Sequence, residues 1–249
     1  MNRTTQEYPA VATTDSHLLD TKELRGDKLA ALDGDIGHLQ DFYFDDNIWV
    51  VRYAVADTGS WLPGRLVLLS PHAFGQLDQR EKTLHVNLRK RQIEGSPPIE
   101  AHKPVSHQYE VEYFRYYGWP AYWAGDAMWG KGGLPVLVPP AEAEGKTERI
   151  YYHRDDKHLH STQDVIGYPI QAVDGVIGQV SSFLVDDRSW AIQQMVVNAG
   201  HWYSGKDIRI PVSDIERFSY RDGKAIVTLT KAEIEKTAEH GLAKAGAGG

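Results

Sequence analysis

Asp33-Gly34-Asp35-Ile36-Gly37-His38-Leu39-Gln40-Asp41-Phe42-Tyr43-Phe44-Asp45-Asp46-Asn47-Ile48-Trp49 decides the fold, because its pattern occurs twice. The counterpart is Asp174-Gly175-Val176-Ile177-Gly178, continuing through Phe183 and Asp186-Asp187 to Trp190. Sliding the chain by 141 residues lays Leu24–Ile93 over Val165–Ile234 without a gap, and 19 of the 70 positions are identical. The matches extend to Gly59-x-Trp61-x-x-Gly64 over Gly200-x-Trp202-x-x-Gly205. A repeat of this length is the signature of a duplicated structural unit.

Each unit reads as a small all-β module. Asp-Gly is a hairpin signal, because both turn residues tolerate positive φ. Ile36–Phe44 and Ile177–Val185 follow as strands, and the double Asp makes the next turn. Trp49, Val51, Tyr53 and Val55 alternate, as do Trp190, Ile192 and Val196, which predicts one buried face per strand. Val67 and Leu69, with Ile208 and Ile210, alternate again; Thr83–Leu88 and Lys224–Leu229 close the units. A capping box, Thr230-x-x-Glu233, then opens a short helix. Short strands with frequent turns predict two small barrels, since closure hides the edge strands. The expected organisation is a tail at residues 1–20, a first barrel at 21–94, a connector at 95–164, a second barrel at 165–240 and a tail at 241–249.

The run from Gly26 to Asp33-Gly34-x-Ile36-Gly37, the double Asp, the Trp-led strand and Trp61-Leu62-Pro63-Gly64-Arg65-x-Val67-Leu68-Leu69-Ser70-Pro71 resemble the PRC-barrel family. The second copy departs from that pattern at Ser204 and Pro211. Tandem copies with a Tyr116–Pro120 segment between them resemble the bacterial two-barrel members of the family. The resemblance implies two PRC-type barrels and a non-catalytic binding or assembly role. The family is named for the cytoplasmic domain of the photosynthetic reaction-centre H subunit, so it also implies a link to a membrane complex and to the light reaction of photosynthesis. The same barrel in a ribosome maturation factor implies the alternative, a module binding RNA or ribosomal protein.

The connector changes composition sharply: nine of the chain's 26 aromatic residues fall within positions 109–129. Tyr109, Tyr113 and Tyr116 recur at helical spacing within Ser106–Tyr117, and Gly118 is the expected stop. This stripe either packs the helix on a barrel or receives a partner, since Tyr and Trp dominate interface anchors. The interface candidates are therefore Tyr109, Tyr113, Tyr116, Tyr117, Trp119 and Trp123.

Composition limits the chemistry. With no cysteine, disulfides, Cys-ligated metal and thiol nucleophiles are out. A formal charge of −7 with no long basic run argues against nucleic-acid binding. The longest apolar stretches, Ile48–Val51 and Leu66–Leu69, are strand-sized, so no transmembrane segment is expected. No apolar leader core lies in Met1–Asp20, so a cytoplasmic location is the expectation, with association at the periphery of the inner membrane as the membrane option.

No P-loop, Gly-x-Ser-x-Gly or His-Glu-x-x-His occurs, so no catalytic residue and no cofactor is expected. His153, His158 and His160 are the weak metal candidates, and a metal-dependent enzyme is the third reading. The repeated positions Gly34, Asp45, Asp46, Trp49 and Trp61, with Gly175, Asp186, Asp187, Trp190 and Trp202, read as structural: turn carboxylates, hairpin glycines and packing rings. The expected partners are a protein or peripheral membrane complex and a second copy of the chain.

Overall fold

The computed structural model describes residues 17–97, 107–119, 159–200 and 207–236. Strand β1 (Leu18–Asp20) and helix α1 (Thr21–Leu24) lead into β2 (Lys28–Ala31), β3 (Gly34–Asp45), β4 (Val50–Asp57), β5 (Leu66–Leu69), β6 (Phe74–Asp78), β7 (Thr83–Val86) and α2 (Lys90–Glu94). The helix α3 (His107–Tyr117) comes next. Then β8 (Leu159–Ser161) and α4 (Thr162–Val165) introduce β9 (Pro169–Ala172), β10 (Gly175–Asp186), β11 (Ile192–Asn198), β12 (Asp207–Pro211), β13 (Ile215–Ser219) and β14 (Lys224–Val227). A further helix, α5, occupies residues 231–236. The bounds of β1, α1, β2, β3, β6 and β7 recur at the 141-residue offset in β8, α4, β9, β10, β13 and β14.

The result is a mainly β molecule of two seven-stranded mixed sheets, ordered β5-β4-β3-β2-β7-β6 and β12-β11-β10-β9-β14-β13. The seventh strand of each comes from the other half of the chain: β1 pairs with β10, and β8 pairs with β3. Leu18–Asp20, expected in the N-terminal tail, and Leu159–Ser161, expected in the connector, are thus sheet strands.

The expected barrel closure is not what forms. Among the described residues no pairing joins β5 to β6, or β12 to β13. The reason is local: Ser70 caps a single 3-10 turn at Pro71–Ala73 that leads the chain away from β5 before β6 begins. The β5 edge is covered instead by α3. The Tyr113 hydroxyl accepts from the Ser70 amide at 3.0 Å and donates to the Leu68 carbonyl at 3.1 Å, standing in for a neighbouring strand. At the equivalent place in β12 stands Pro211, which has no amide to leave bare.

The predicted alternation along β4 also breaks. Phe44 pairs with Val51 and Tyr43 with Tyr53, so Arg52 is an extra residue and the strand changes phase there. Val51, Ala54 and Ala56 enter the main core, whereas Tyr53 and Val55 face the opposite side, under α3. β11 repeats the shift at Gln193, where Ile192 pairs with Val185 and Gln194 with Leu184. The first hairpin differs as well. Ala31 pairs with Gly34, so Leu32 and Asp33 make the turn, and only the glycine takes positive φ, at 134°. Asp33 is held because its side chain accepts from the Lys90 amide at the start of α2.

One apolar core serves both sheets, running from Leu29, Phe42 and Phe44 to Ile177, Phe183 and Phe218. The halves therefore pack together.

Candidate functional site

The seam between the halves is built from the repeated turn. Asp45 Oδ1 accepts from the amides of Asn47 and Ile48, and Asp186 Oδ1 accepts from those of Arg188 and Ser189. These turns force Trp49 and Trp190 into the left-handed region, at φ 56° and 57°. The backbone then crosses over: the Val51 amide donates to the Trp190 carbonyl at 2.9 Å, and the Ile192 amide to the Trp49 carbonyl at 2.7 Å. The Trp190 ring lies 4.6 Å from Phe74 and 5.7 Å from Phe42, in the opposite half. Asp45 Oδ2 also accepts from the buried Arg52 at 3.2 Å.

At the rim of the seam, Asp46, His160 and Tyr220 converge. The Tyr220 hydroxyl donates to Asp46 Oδ2 at 3.0 Å, and the His160 ring stacks on Tyr220 with centroids 3.6 Å apart. His160 Nε2 is 3.5 Å from Asp46 Oδ2. Burial, reinforced by the Asp46 charge, pushes the Tyr220 hydroxyl far above its ordinary range, so it stays a proton donor. His153 and His158 lie outside the described residues. Among the described residues no group of three or more His, Asp and Glu side chains is arranged to hold a metal ion.

Each exchanged strand is pinned by one carboxylate. In the first sheet Asp41 accepts from Ser161 Oγ at 2.5 Å, Thr162 Oγ1 at 2.6 Å and the amides of Gln163 and Phe42. Burial raises the Asp41 carboxyl above its ordinary value despite these donors. In the second sheet Asp20 Oδ2 accepts from Ser182 Oγ at 3.0 Å, while its Oδ1 accepts from the Lys22 amide at 2.8 Å. The Phe183 amide there donates to Thr21 Oγ1 at 3.1 Å. Between α1, α4 and β10 lies an open hollow of about 300 Å³, with Lys22, Arg25, Gln163 and Gln179 on its lining.

The aromatic helix α3 is docked on the outer face of the first sheet. Tyr113 is fully buried there, against Tyr53, Val55 and Leu68. Glu110, also fully buried, accepts from the Tyr53 hydroxyl at 2.7 Å. Tyr109 donates to the Pro97 carbonyl and Tyr116 to the Gln92 carbonyl. Arg65 donates to the carbonyls of Glu94 and Ser96, tying down the end of α2. Gly118, at φ 68°, ends the helix, with its amide on Arg115 and the Trp119 amide on Phe114. Beyond it Trp119 stacks on Tyr117 at 4.5 Å and on His72 at 5.5 Å. Burial drives the His72 imidazole down to about 4, with the Arg52 charge adding to it. Burial likewise pushes the Tyr117 hydroxyl up to about 12.

Of the interface candidates, Tyr109, Tyr113, Tyr117 and Trp119 are thus placed in packing, Tyr116 is 44% exposed, and Trp123 lies outside the described residues. Trp61 is half-buried with Lys90 Nζ 4.7 Å above its ring, and Trp202 lies outside the described residues. Asp187 donates its amide to the His17 carbonyl, and Gly175 repeats the φ of Gly34 at 136°. The residues missed from sequence are Asp41, Ser161, Asp20, Ser182 and the Tyr53–Glu110 pair. A signal for the first four exists: the repeat continues upstream, with Leu18 matching Leu159 and Thr21 matching Thr162. No protein-family model matches the chain, and no curated protein matches it. Among the described residues no helix is long and apolar enough to cross a membrane.

Proposed function

We propose that the chain is a non-catalytic binding or assembly protein of the PRC-barrel type, with two units descended from a duplicated ancestor, acting on a protein or peripheral membrane complex. The observation that carries this reading is the fusion of two like sheets around one core, with exposed apolar side chains at the same hairpin tip of each. Leu32 and Val173 occupy equivalent turn positions at 64% and 68% exposure, and Val176 beside the second tip is 54% exposed. Paired apolar tips on a rigid frame suit a surface that grips a partner at two points. The test is affinity capture on the purified protein from membrane, ribosomal and detergent-free supernatant fractions. Retention of one defined complex from the membrane fraction, lost in a Leu32→Asp/Val173→Asp variant that still folds, supports the reading. Equal retention by parent and variant, or retention of ribosomal subunits alone, overturns it.

A further inference from the structure

We infer that the two Asp–Ser contacts at the crossover form a pairing code that decides which sheet each short strand joins. The pairs are mirror-coded. Position 41 of the first sheet is Asp and its equivalent in the second, position 182, is Ser; position 20 on the first short strand is Asp and its equivalent, position 161, is Ser. In the exchanged arrangement every contact joins a carboxylate to a hydroxyl: Asp20 with Ser182, and Asp41 with Ser161.

Now consider each short strand returned to its own half, at the register the 141-residue offset defines. β1 would then lie on β3 with Leu19 opposite Phe44, because His160 of β8 lies opposite Phe44 in the existing pairing. Asp20 would take the place of Ser161 and face Asp41, setting two carboxylates against each other in a half-buried site where burial already raises the Asp41 carboxyl. Like charges directly opposite on a sheet are destabilising. On the other sheet Ser161 would meet Ser182, and no carboxylate would remain to accept from them. The segments joining α1 to β2 and α4 to β9 contain equivalent glycines, Gly26 and Gly167, at φ 90° and 87°, where the chain can turn either way. The flanking positions do not discriminate, because Leu18 and Leu159 are identical and both helices bury equivalent residues, Leu24 and Val165. The middle position does, since Leu19 is buried in the core whereas its equivalent His160 lies beside Asp46 and Tyr220. The Asp–Ser pattern adds to that difference a term that can be inverted by substitution at four positions without touching Leu19 or His160.

The code can be inverted and restored. The Asp41→Ser/Ser182→Asp variant opposes two carboxylates in the exchanged form and makes both self-pairings complementary. Adding Asp20→Ser and Ser161→Asp restores complementarity in the exchanged form. Cross-strand amide contacts measured by NMR distinguish the states: Leu19 to Val185 in the exchanged form, Leu19 to Phe44 in the self-paired form. The double variant is expected to switch to the Leu19–Phe44 contact, in cis or through a second copy, or to lose on the order of tenfold or more in its folding equilibrium constant. The quadruple variant is expected to regain both the Leu19–Val185 contact and the lost stability. A double variant that keeps the Leu19–Val185 contact at parental stability, or a quadruple variant no more stable than the double, overturns the code.

Discussion

Trp49 and Trp190 hold the same left-handed backbone conformation, and each ring reaches an aromatic residue of the opposite half, Phe218 for the first and Phe74 for the second. A bulky residue at that φ is strained by roughly 1–2 kcal/mol. The burial of the rings outweighs the strain, so the seam is where local conformation and long-range packing are traded against each other.

Trp190→Ala is therefore expected to cost about 3–5 kcal/mol, as other buried aromatic truncations do. Trp190→Gly should cost about 1 kcal/mol less than Trp190→Ala, because glycine relieves the backbone while losing the same ring. Urea unfolding of both variants gives the comparison; an alanine variant as stable as the glycine variant, or more so, contradicts the strain.

Tyr53→Phe removes the hydroxyl that donates to the buried Glu110. The expected loss is about 1–3 kcal/mol, since a buried charged or polar group then has one donor fewer. Because the contact lies beneath α3, the loss should appear as faster proteolysis on the connector side of that helix. The double variant Tyr53→Phe/Glu110→Gln should recover part of the stability.

His72 supplies a pH dependence of known sign. Its folded value of about 4 lies below the ordinary 6.5, so the folded state binds fewer protons than the unfolded chain between those limits. Its contribution to stability is full above pH 6.5 and is lost as pH falls towards 4. With allowance for partial exposure the loss is about 1–2 kcal/mol. Asp41 works in the opposite sense: its raised value favours the fold as the pH falls towards the ordinary carboxylate range. Denaturation curves of parent and His72→Phe over this range should diverge, with the variant losing less on acidification.

Two pairs of glycines with positive φ should respond differently to alanine. A Cβ at Gly37 would stand 1.9 Å from the Asp57 carbonyl oxygen, and one at Gly178 would stand 2.2 Å from that of Asn198. At Gly59 and Gly200 it would meet nothing within 4 Å. Gly37→Ala and Gly178→Ala should each cost about 3 kcal/mol or more. Gly59→Ala and Gly200→Ala should each cost about 1 kcal/mol, from conformation alone. Thermal unfolding of the four variants checks the ordering.

The β character, the helix ending at Gly118 and the turn carboxylates were legible because each depends on short-range pattern. Asp45 and Asp186 reveal their role within three residues. The phase change at Arg52 was not legible, because a bulge leaves no mark in an alternating apolar run and is set by the partner strand. The exchange was hidden for a different reason. β1 and β8 are three residues each, too short for a periodic signal, and their meaning rests on side chains far away in the chain. Tyr53 looked like one more core residue; only the docking of α3 turns its hydroxyl towards a buried carboxylate.

The crossover also sets a timetable for synthesis. Asp41 and Ser161 are 120 residues apart, so the first sheet leaves the ribosome without its seventh strand and with a carboxylate that has no hydroxyl to hold. At typical elongation rates of roughly 5–20 residues per second, that interval is on the order of ten seconds. Throughout it the nascent half exposes the side of β3 that β8 will cover. The chain cannot mature one half at a time, and a nascent-chain chaperone or a neighbouring polysome product has its opportunity during that delay.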